Sequence, residues 1–307
     1  MVYDVVIIGG GPGGVAAGVY ASRKQLKTAF ITENFLSQSV VSASIENWIG
    51  SVSIPGFELG QMLEGHLRAQ EGIEIITDVR AVGITAEGSQ YVVKTSDDKT
   101  YETKTVIIAS GGRHRHLDIP GEEKFNGKGV VYCSTCDAPF FRNKNVVVVG
   151  GGNAGLEAVE DLLPYASAVT LMIRSDVLKG DPITQKKVLA SEKVTVMFNA
   201  VPQAILGETN VMGVSYKDAL TGEEKSLEVS GVFVEIGMVP NTEFVKDLVE
   251  LNERGEIKLD HRTKATSAPG IFATGDATDA PYKQNNISAG DGVVAALSAY
   301  DYIRKGR

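Results

Sequence analysis

The sequence predicts an α/β protein made of two doubly wound, Rossmann-like units, the second inserted into the first. Three observations carry this. The stretches "DVVIIGGGPGGVAAGVYASR" from Asp4 and "NVVVVGGGNAGLEAVEDLLPYA" from Asn145 share one pattern: a short apolar run of strand type, a glycine cluster, then a helical stretch rich in alanine. Each is followed, at a comparable distance, by an apolar strand that stops at glycine: "TVIIASGG" (Thr105 to Gly112) and "GVFVEIGMVPNT" (Gly231 to Thr242), read as the return from each unit. A third such strand, in "GIFATGDATDA", and a closing helix, "SAGDGVVAALSAYDYI", come after the whole second unit, so the first unit closes around it. Crossovers are expected near Arg113 to Asp118 and Pro240 to Phe244, giving one domain from 1–114 with 244–307 and another from 115–243.

At 307 residues the chain has room for two domains with a core each. Its 43% apolar and 22% charged content is that of a globular protein. No apolar run reaches the roughly 18 residues that a membrane helix needs. The start, "MVYDVVIIGG", is a strand leading into glycines, without the basic start or small-residue cleavage site of a signal peptide, so a cytoplasmic location is expected. A net charge of -8 argues against nucleic acid, whose binders concentrate Lys and Arg on one surface. The largest basic cluster, "RHRH" at Arg113 to His116, reads as a solvated hinge, with an anion site as the alternative.

Along the chain, the first chemistry lies where strand feeds helix. Gly9, Gly11 and Gly14, with Pro12 between them, fit G-x-G-x-x-G; so do Gly150, Gly152 and Gly155, with Asn153 at the same relative place. In such a motif the first glycine permits a tight turn, the second lets backbone approach a pyrophosphate, and the third lets helix and strand pack closely. The helix N-terminus then holds the phosphates. One such motif is weak evidence; two in matching contexts predict two dinucleotide sites. The strand "KTAFITE" ends at Glu33, about 20 residues past its glycines, where an acid would bind a ribose hydroxyl. After the second motif, "AVTLMIR" ends instead at Arg174, with Ser175 and Lys179 nearby and Asp176 slightly beyond, which leans toward a 2'-phosphate. The first site thus suits FAD and the second NADPH, with NADH possible and a merely solvated Arg174 as the alternative.

Both cysteines of the chain, Cys133 and Cys136, lie in "YCSTCDAPFF". Structural disulfides are rare in the cytosol, and the four histidines, His66, His114, His116 and His261, do not supply a zinc set, so no metal is expected. Ser134, Thr135 and Asp137 are polar company for two merely buried thiols, which leaves a redox C-x-x-C as the better reading.

With these residues in hand, the chain resembles the low-molecular-weight, bacterial-type thioredoxin reductases over essentially its whole length. The likeness rests on "GGGPGG", "IENWIG", "YCSTCD", "VVVVGGGNAG", "VEIGMVPNT" and "GIFATGDATDAPYKQ", in the family's order. The resemblance implies the class II fold of the FAD/NAD(P)-linked pyridine nucleotide-disulfide oxidoreductases, a homodimer, and electrons passing from NAD(P)H through FAD and a Cys133–Cys136 disulfide to thioredoxin. It implies Cys136 as the thiol facing the flavin, Cys133 as the one attacking the partner, and Asp137 as general acid and base, where a helix-capping role is the bland alternative. Around FAD it implies Gln38, Asn47, Val79, Gly111, Asp276, Lys283, Gln284 and Asn285, besides the glycines and Glu33. Three departures stand out: "LSQS" at Leu36 to Ser39 replaces a Gly-Gly-Gln turn, "IRSDVLK" keeps Arg174 but offers Lys179 in place of an Arg, and Gly155 stands where many NADPH enzymes have alanine. Lysine lacks the planar fork that grips a phosphate twice. The tail "APYKQNNISAGDGVVAALSAYDYI" also resembles the flavoprotein component of alkyl hydroperoxide reductase, which uses NADH and carries an extra N-terminal disulfide domain, whereas this chain begins at the first FAD strand.

The resemblance implies a relay from a two-electron flavin to a disulfide on another protein, and the inserted domain is expected to rotate about its crossovers so that cysteines and nicotinamide reach the flavin in turn. Phe140 and Phe141 read as an apolar dock for the incoming protein or as core. Alternative partners are a glutaredoxin-like or peroxiredoxin-feeding disulfide carrier; an alternative electron source is ferredoxin or another flavin. A binding protein without turnover is a further reading that the complete "CSTCD" disfavours.

Overall fold

The computed structural model describes residues 1–35, 38–41 and 45–306; Leu36 and Ser37, half of the "LSQS" turn, lie outside the described residues. In chain order the first strand, β1 (Val2–Ile8), is buried from Val5 onward and stops at glycine. Helix α1 (Pro12–Arg23) starts on a proline, whose missing N–H costs nothing in a first turn. There follow β2 (Thr28–Ile31), α2 (Gly56–Arg68), β3 (Ile73–Ile76), the antiparallel pair β4 (Ala81–Glu87) and β5 (Gln90–Thr95), and β6 (Thr100–Ile108). Their sheet runs β3-β2-β1-β6-β5-β4. The β4–β5 pair has no counterpart in the sequence reading.

The first crossover is β7 (Gly112–His114). The second unit contains β8 (Val130–Val131), α3 (Ser134–Asp137), β9 (Asn145–Val149), α4 (Asn153–Leu162), β10 (Ala168–Met172), α5 (Pro182–Leu189) and β11 (Val194–Met197). A three-stranded antiparallel sheet, β12 (Ala200–Gly207), β13 (Val211–Asp218) and β14 (Glu224–Glu228), precedes β15 (Gly231–Val234). The main sheet of this unit is parallel, in the order β11-β10-β9-β15-β8. Val146 to Val149 of β9 and Gly231 to Val234 of β15 are buried throughout, as strands covered on both faces require.

The chain returns through β16 (Met238–Pro240), which pairs with β7. Strand β17 (Ile271–Ala273) then joins the first sheet, parallel to β6. Strand β6 is forked: Thr100 to Thr103 pair with β5 on one stretch, and Val106 to Ile108 with β17 on the next. Helix α6 (Asn285–Arg304) starts ahead of the small-residue run that announced it. Its Gly292 lies against α1 so closely that a Cβ would stand 2.0 Å from the Gly13 carbonyl oxygen, and Ala295, Ala296 and Ala299 are buried beside it. Contacts group Met1–Val40, Ser44–Arg113 and Val239–Arg307 in one compact unit and essentially His114–Met238 in the other. Among the described residues no helix is long and apolar enough to cross a membrane.

Two readings change. Phe141 is not an exposed dock: it is 5% exposed, its ring meets Phe233 edge-on at 4.9 Å, and Gly231 leaves it room. Only Phe140, at 37%, faces solvent. Phe141→Ala is therefore expected to cost ~3–5 kcal/mol in urea unfolding, the loss of a buried aromatic plus the cavity it leaves; a cost under ~1 kcal/mol would contradict this packing. The basic cluster is also not simply solvated. His114 stacks on Tyr132 at 5.1 Å, and burial holds its pKa down at about 4. His116 Nδ1 lies 3.0 Å from the Tyr132 hydroxyl, which donates to buried Glu122. Arg113 donates to Asn241 and Glu243 within the first unit.

Candidate functional site

The two glycine motifs fold into matching cradles. Gly9 takes a φ of +115°, and a Cβ there would stand 2.2 Å from the Ala109 oxygen; at Gly14 it would stand 1.8 Å from the Gly9 oxygen. Gly11, between them, has nothing within 4 Å on its Cβ side. In the second unit Gly150 has a φ of +142° against the Glu235 oxygen, Gly155 is closed onto Gly150, and Gly152 again faces open space. Strand and helix thus touch at the outer glycines, while the middle one is left bare for a ligand. Neither α1 nor α4 carries an acid in its first turn to compete for the free amides. These cradles fit dinucleotide pyrophosphates.

In the first unit, Glu33 stands at the end of β2, but not alone. Arg80 Nε donates to its Oε2 at 2.7 Å, an exposed pair worth little to stability that leaves the other carboxylate oxygen available. Next to it opens a cavity of ≈ 350 Å³ lined by Glu33, Phe35, Phe57 and Asp78 among others. Val79 is buried in the core, so only its backbone can face a ligand. Gln38 Nε2 donates to the Gly112 oxygen at 2.6 Å and to Asp276 Oδ2 at 3.3 Å. Asn47 Nδ2 donates to Gln284 Oε1 at 3.2 Å, and Asn285 Nδ2 to Ser39 Oγ at 2.9 Å. Burial raises the Asp276 carboxyl pKa, against the pull of Lys283. Lys283 itself is tied to the Thr278 oxygen and to Glu256 Oε1, so it braces the Asp276 turn from behind. Gly111 sits in the left-handed region at φ +64°.

In the second unit Asn153 turns its Oδ1 to the Asp181 N–H at 2.7 Å, fastening the loop before α5. Ser175 Oγ donates to the Val177 oxygen. Among the described residues, the Arg174 and Lys179 side chains make no hydrogen bond or ion pair. The two cysteines are joined as a disulfide across the four-residue α3. Burial lifts the Asp137 carboxyl to about 6, which suits a group that exchanges protons near neutrality.

Two acids of this site escaped the sequence reading. Asp161, on α4, receives the hydroxyls of Ser134 and Thr135 on one oxygen, at 2.8 and 3.1 Å, so both residues between the cysteines are anchored to it. Glu235 directly follows β15; burial foremost, with Asp161 and Glu157 adding to it, pushes its pKa up to about 8. The one hint was a carboxylate following an apolar strand in "VEIGMVPNT". Among the described residues no group of three or more His, Cys, Asp or Glu side chains is set to hold a metal ion.

A family model described as pyridine nucleotide-disulphide oxidoreductase matches residues 3–293. The chain is 44% identical over 301 residues to an alkyl hydroperoxide reductase subunit of Staphylococcus aureus, covering 98% of this chain and 59% of that protein. It is 42% identical to a Bacillus subtilis protein named NADH dehydrogenase, covering 98% and 58%. The chain therefore spans less than two thirds of the length of these relatives. Among solved structures, thioredoxin reductase from Streptococcus pyogenes superposes with a TM-score of 0.92 at 36% identity, and that from Giardia duodenalis with 0.92 at 31%, each covering 99% of both chains.

Proposed function

The chain belongs to the pyridine nucleotide-disulphide oxidoreductase family, and from that premise we propose that it is an FAD-dependent thioredoxin-disulfide reductase, passing electrons from NAD(P)H to the Cys133–Cys136 disulfide and on to thioredoxin. The observation that carries the reading is the disulfide itself, held in the same unit as the second cradle, with the Asp137 carboxyl lifted to about 6 beside it. Bound FAD supplies two-electron exchange between a nicotinamide and a disulfide. In this reading Gly9, Gly11, Pro12 and Gly14 hold its pyrophosphate, Glu33 its ribose, and Gln38, Asn47, Asp276, Gln284 and Asn285 the rest of it. Gly150, Gly152 and Gly155 hold the nicotinamide dinucleotide. Cys133 attacks the partner's disulfide as a thiolate, and Asp137 moves the proton. A homodimer working in the cytoplasm, with an inserted domain that turns about β7 and β16, belongs to the same proposal.

A second reading has its own support. The Staphylococcus aureus relatives named for alkyl hydroperoxide reductase reach 44% identity, above the 36% of the Streptococcus pyogenes thioredoxin reductase, so another disulfide carrier is the alternative substrate. Its nicotinamide would be NADH, whereas the free Arg174 and Lys179 favour NADPH. An anaerobic titration of the purified protein with NADPH and, separately, NADH checks the donor. Bleaching of the flavin band by one of them at low excess is expected. If dithionite bleaches it and neither nicotinamide does, the reading of the second cradle fails. Reduction of thioredoxin against that of a glutaredoxin-like carrier then separates the two substrates.

A further inference from the structure

A single turn of helix does not hold itself: closing it fixes several backbone angles for one hydrogen bond, so it persists only where its surroundings grip it. The segment from Cys133 to Asp137 is such a turn, with the Asp137 N–H donating to the Cys133 oxygen at 3.1 Å and the Ala138 N–H to the Ser134 oxygen. Its flanks are held by the core. Val130 and Val131 before it pair in register with Val232 and Phe233 of β15, and Ala138 and Phe141 after it pack in one apolar cluster with Leu156, Ala158, Val159 and Leu162 of α4. The residues between the sulfurs are held by polar bonds. The Ser134 and Thr135 hydroxyls donate to one and the same oxygen, Oδ2 of Asp161, at 2.8 and 3.1 Å. Asp161 stands in the last turn of α4, beside the wholly buried Ala158 and Leu162, so this acceptor sits on a rigid element.

Both bonds run from oxygen to oxygen, so opening the S–S bond breaks neither. We propose that Asp161 is a positioning residue of the redox pair: by fastening Ser134 and Thr135 it keeps the opened turn in the shape of the closed one, and so makes the dithiol the stronger reductant. Opening the pair breaks one S–S bond and takes up two electrons and two protons, the electrons coming from NAD(P)H in the proposed reaction. Closing it passes the same two electrons to the partner's disulfide. How readily it closes depends on how often the two sulfurs meet in the dithiol, and every conformation denied to the reduced turn raises their effective concentration. Without the anchor the reduced turn gains conformations that the disulfide forbids, and the balance moves toward the dithiol.

This inference rests on Cys133–Cys136 as a redox pair, and its test needs no turnover. The purified full chain is equilibrated anaerobically at pH 7 in graded mixtures of oxidised and reduced dithiothreitol, quenched in acid and freed of the reagent. It is then labelled with N-ethylmaleimide, and mass spectrometry of the cysteine peptide gives the equilibrium constant. Asp161→Ala is expected to move that constant ~10-fold toward the dithiol, about 30 mV for a two-electron couple. Ser134→Ala combined with Thr135→Val, which keeps the Asp161 carboxylate but removes its two donors, is expected to move it as far. Asp161→Asn keeps a neutral acceptor, whose hydrogen bonds are roughly half as strong as those to a charge, and should fall between. A constant within ~2-fold of native in Asp161→Ala overturns the proposal, because a merely structural residue weakens both redox forms alike. A shift in Asp161→Ala that the double variant does not share overturns it too, since that is a charge acting on the sulfurs. Thr135→Val alone, at an exposed position, covers the case in which the other variants do not fold; ~3-fold is expected, and no shift overturns the proposal. A chain that reduced no thioredoxin would still give these constants, whereas unmoved constants in a chain that does reduce it would remove the anchor alone.

Discussion

Cys136→Ser is expected to lower disulfide reduction by at least ~10³-fold while NAD(P)H oxidation by ferricyanide continues near the native rate. The cysteines form one disulfide, so either substitution ends the exchange. The hydroxyl that replaces Cys136 still fits: its position is partly buried in a turn fixed by Ser134, Thr135 and Asp161, none of which bonds to the sulfur. The two roles separate in a capture experiment. With Cys136 replaced, Cys133 is left as a lone thiol and should release thionitrobenzoate from a one-cysteine thioredoxin activated in that form, giving a stable mixed disulfide. With Cys133 replaced, Cys136 should capture the same probe far more slowly. Equal or faster capture by Cys136 would reverse the assignment of the attacking sulfur, and native-like turnover of Cys136→Ser would remove the pair from the reaction.

The sequence shows this much because its strongest signals are local. A glycine that must admit a carbonyl, as Gly9 and Gly155 do, or a pair of cysteines around a single turn, is written within a few consecutive residues. The strands β1, β6, β9, β15 and β17 were legible for the same reason, as apolar runs ending at glycine. Long-range partners were not. Asp161 of α4 receives the hydroxyls of Ser134 and Thr135, and nothing in either segment names the other. Arg80 reaches Glu33 across the tops of β2 and β3, and Asn153 turns to Asp181 rather than outward. Phe141 was ambiguous because an aromatic next to a C-x-x-C reads alike as dock or core, and the deciding atoms, Phe233 and the bare Gly231, are distant in sequence. The "RHRH" cluster misled through composition: two of its charges are imidazoles, and one of them is stacked and held neutral by burial.

Gly14→Ala and Gly11→Ala, neighbours in one motif, are expected to fail in opposite ways. At Gly14 a methyl group would lie 1.8 Å from the Gly9 oxygen and 3.0 Å from its carbon. No flexible side chain can yield, and Gly9 cannot retreat, being left-handed and already against the Ala109 oxygen. Either α1 or the end of β1 must move, which costs ~3 kcal/mol, the upper end of the usual scale of overpacking, and displaces α1 from α6. Gly14→Ala should therefore lose both stability and flavin. Gly11 has a φ of −76°, ordinary for alanine, and nothing within 4 Å of its Cβ direction. Its alanine variant should unfold within a few degrees of the native protein yet hold flavin at least ~10-fold more weakly, because the new methyl occupies the approach kept bare for a pyrophosphate. Thermal unfolding, read beside the ratio of flavin to protein absorbance, separates the two outcomes. Native flavin content in Gly11→Ala would mean that the cofactor lies elsewhere, and native stability in Gly14→Ala would mean that strand and helix do not meet at this glycine.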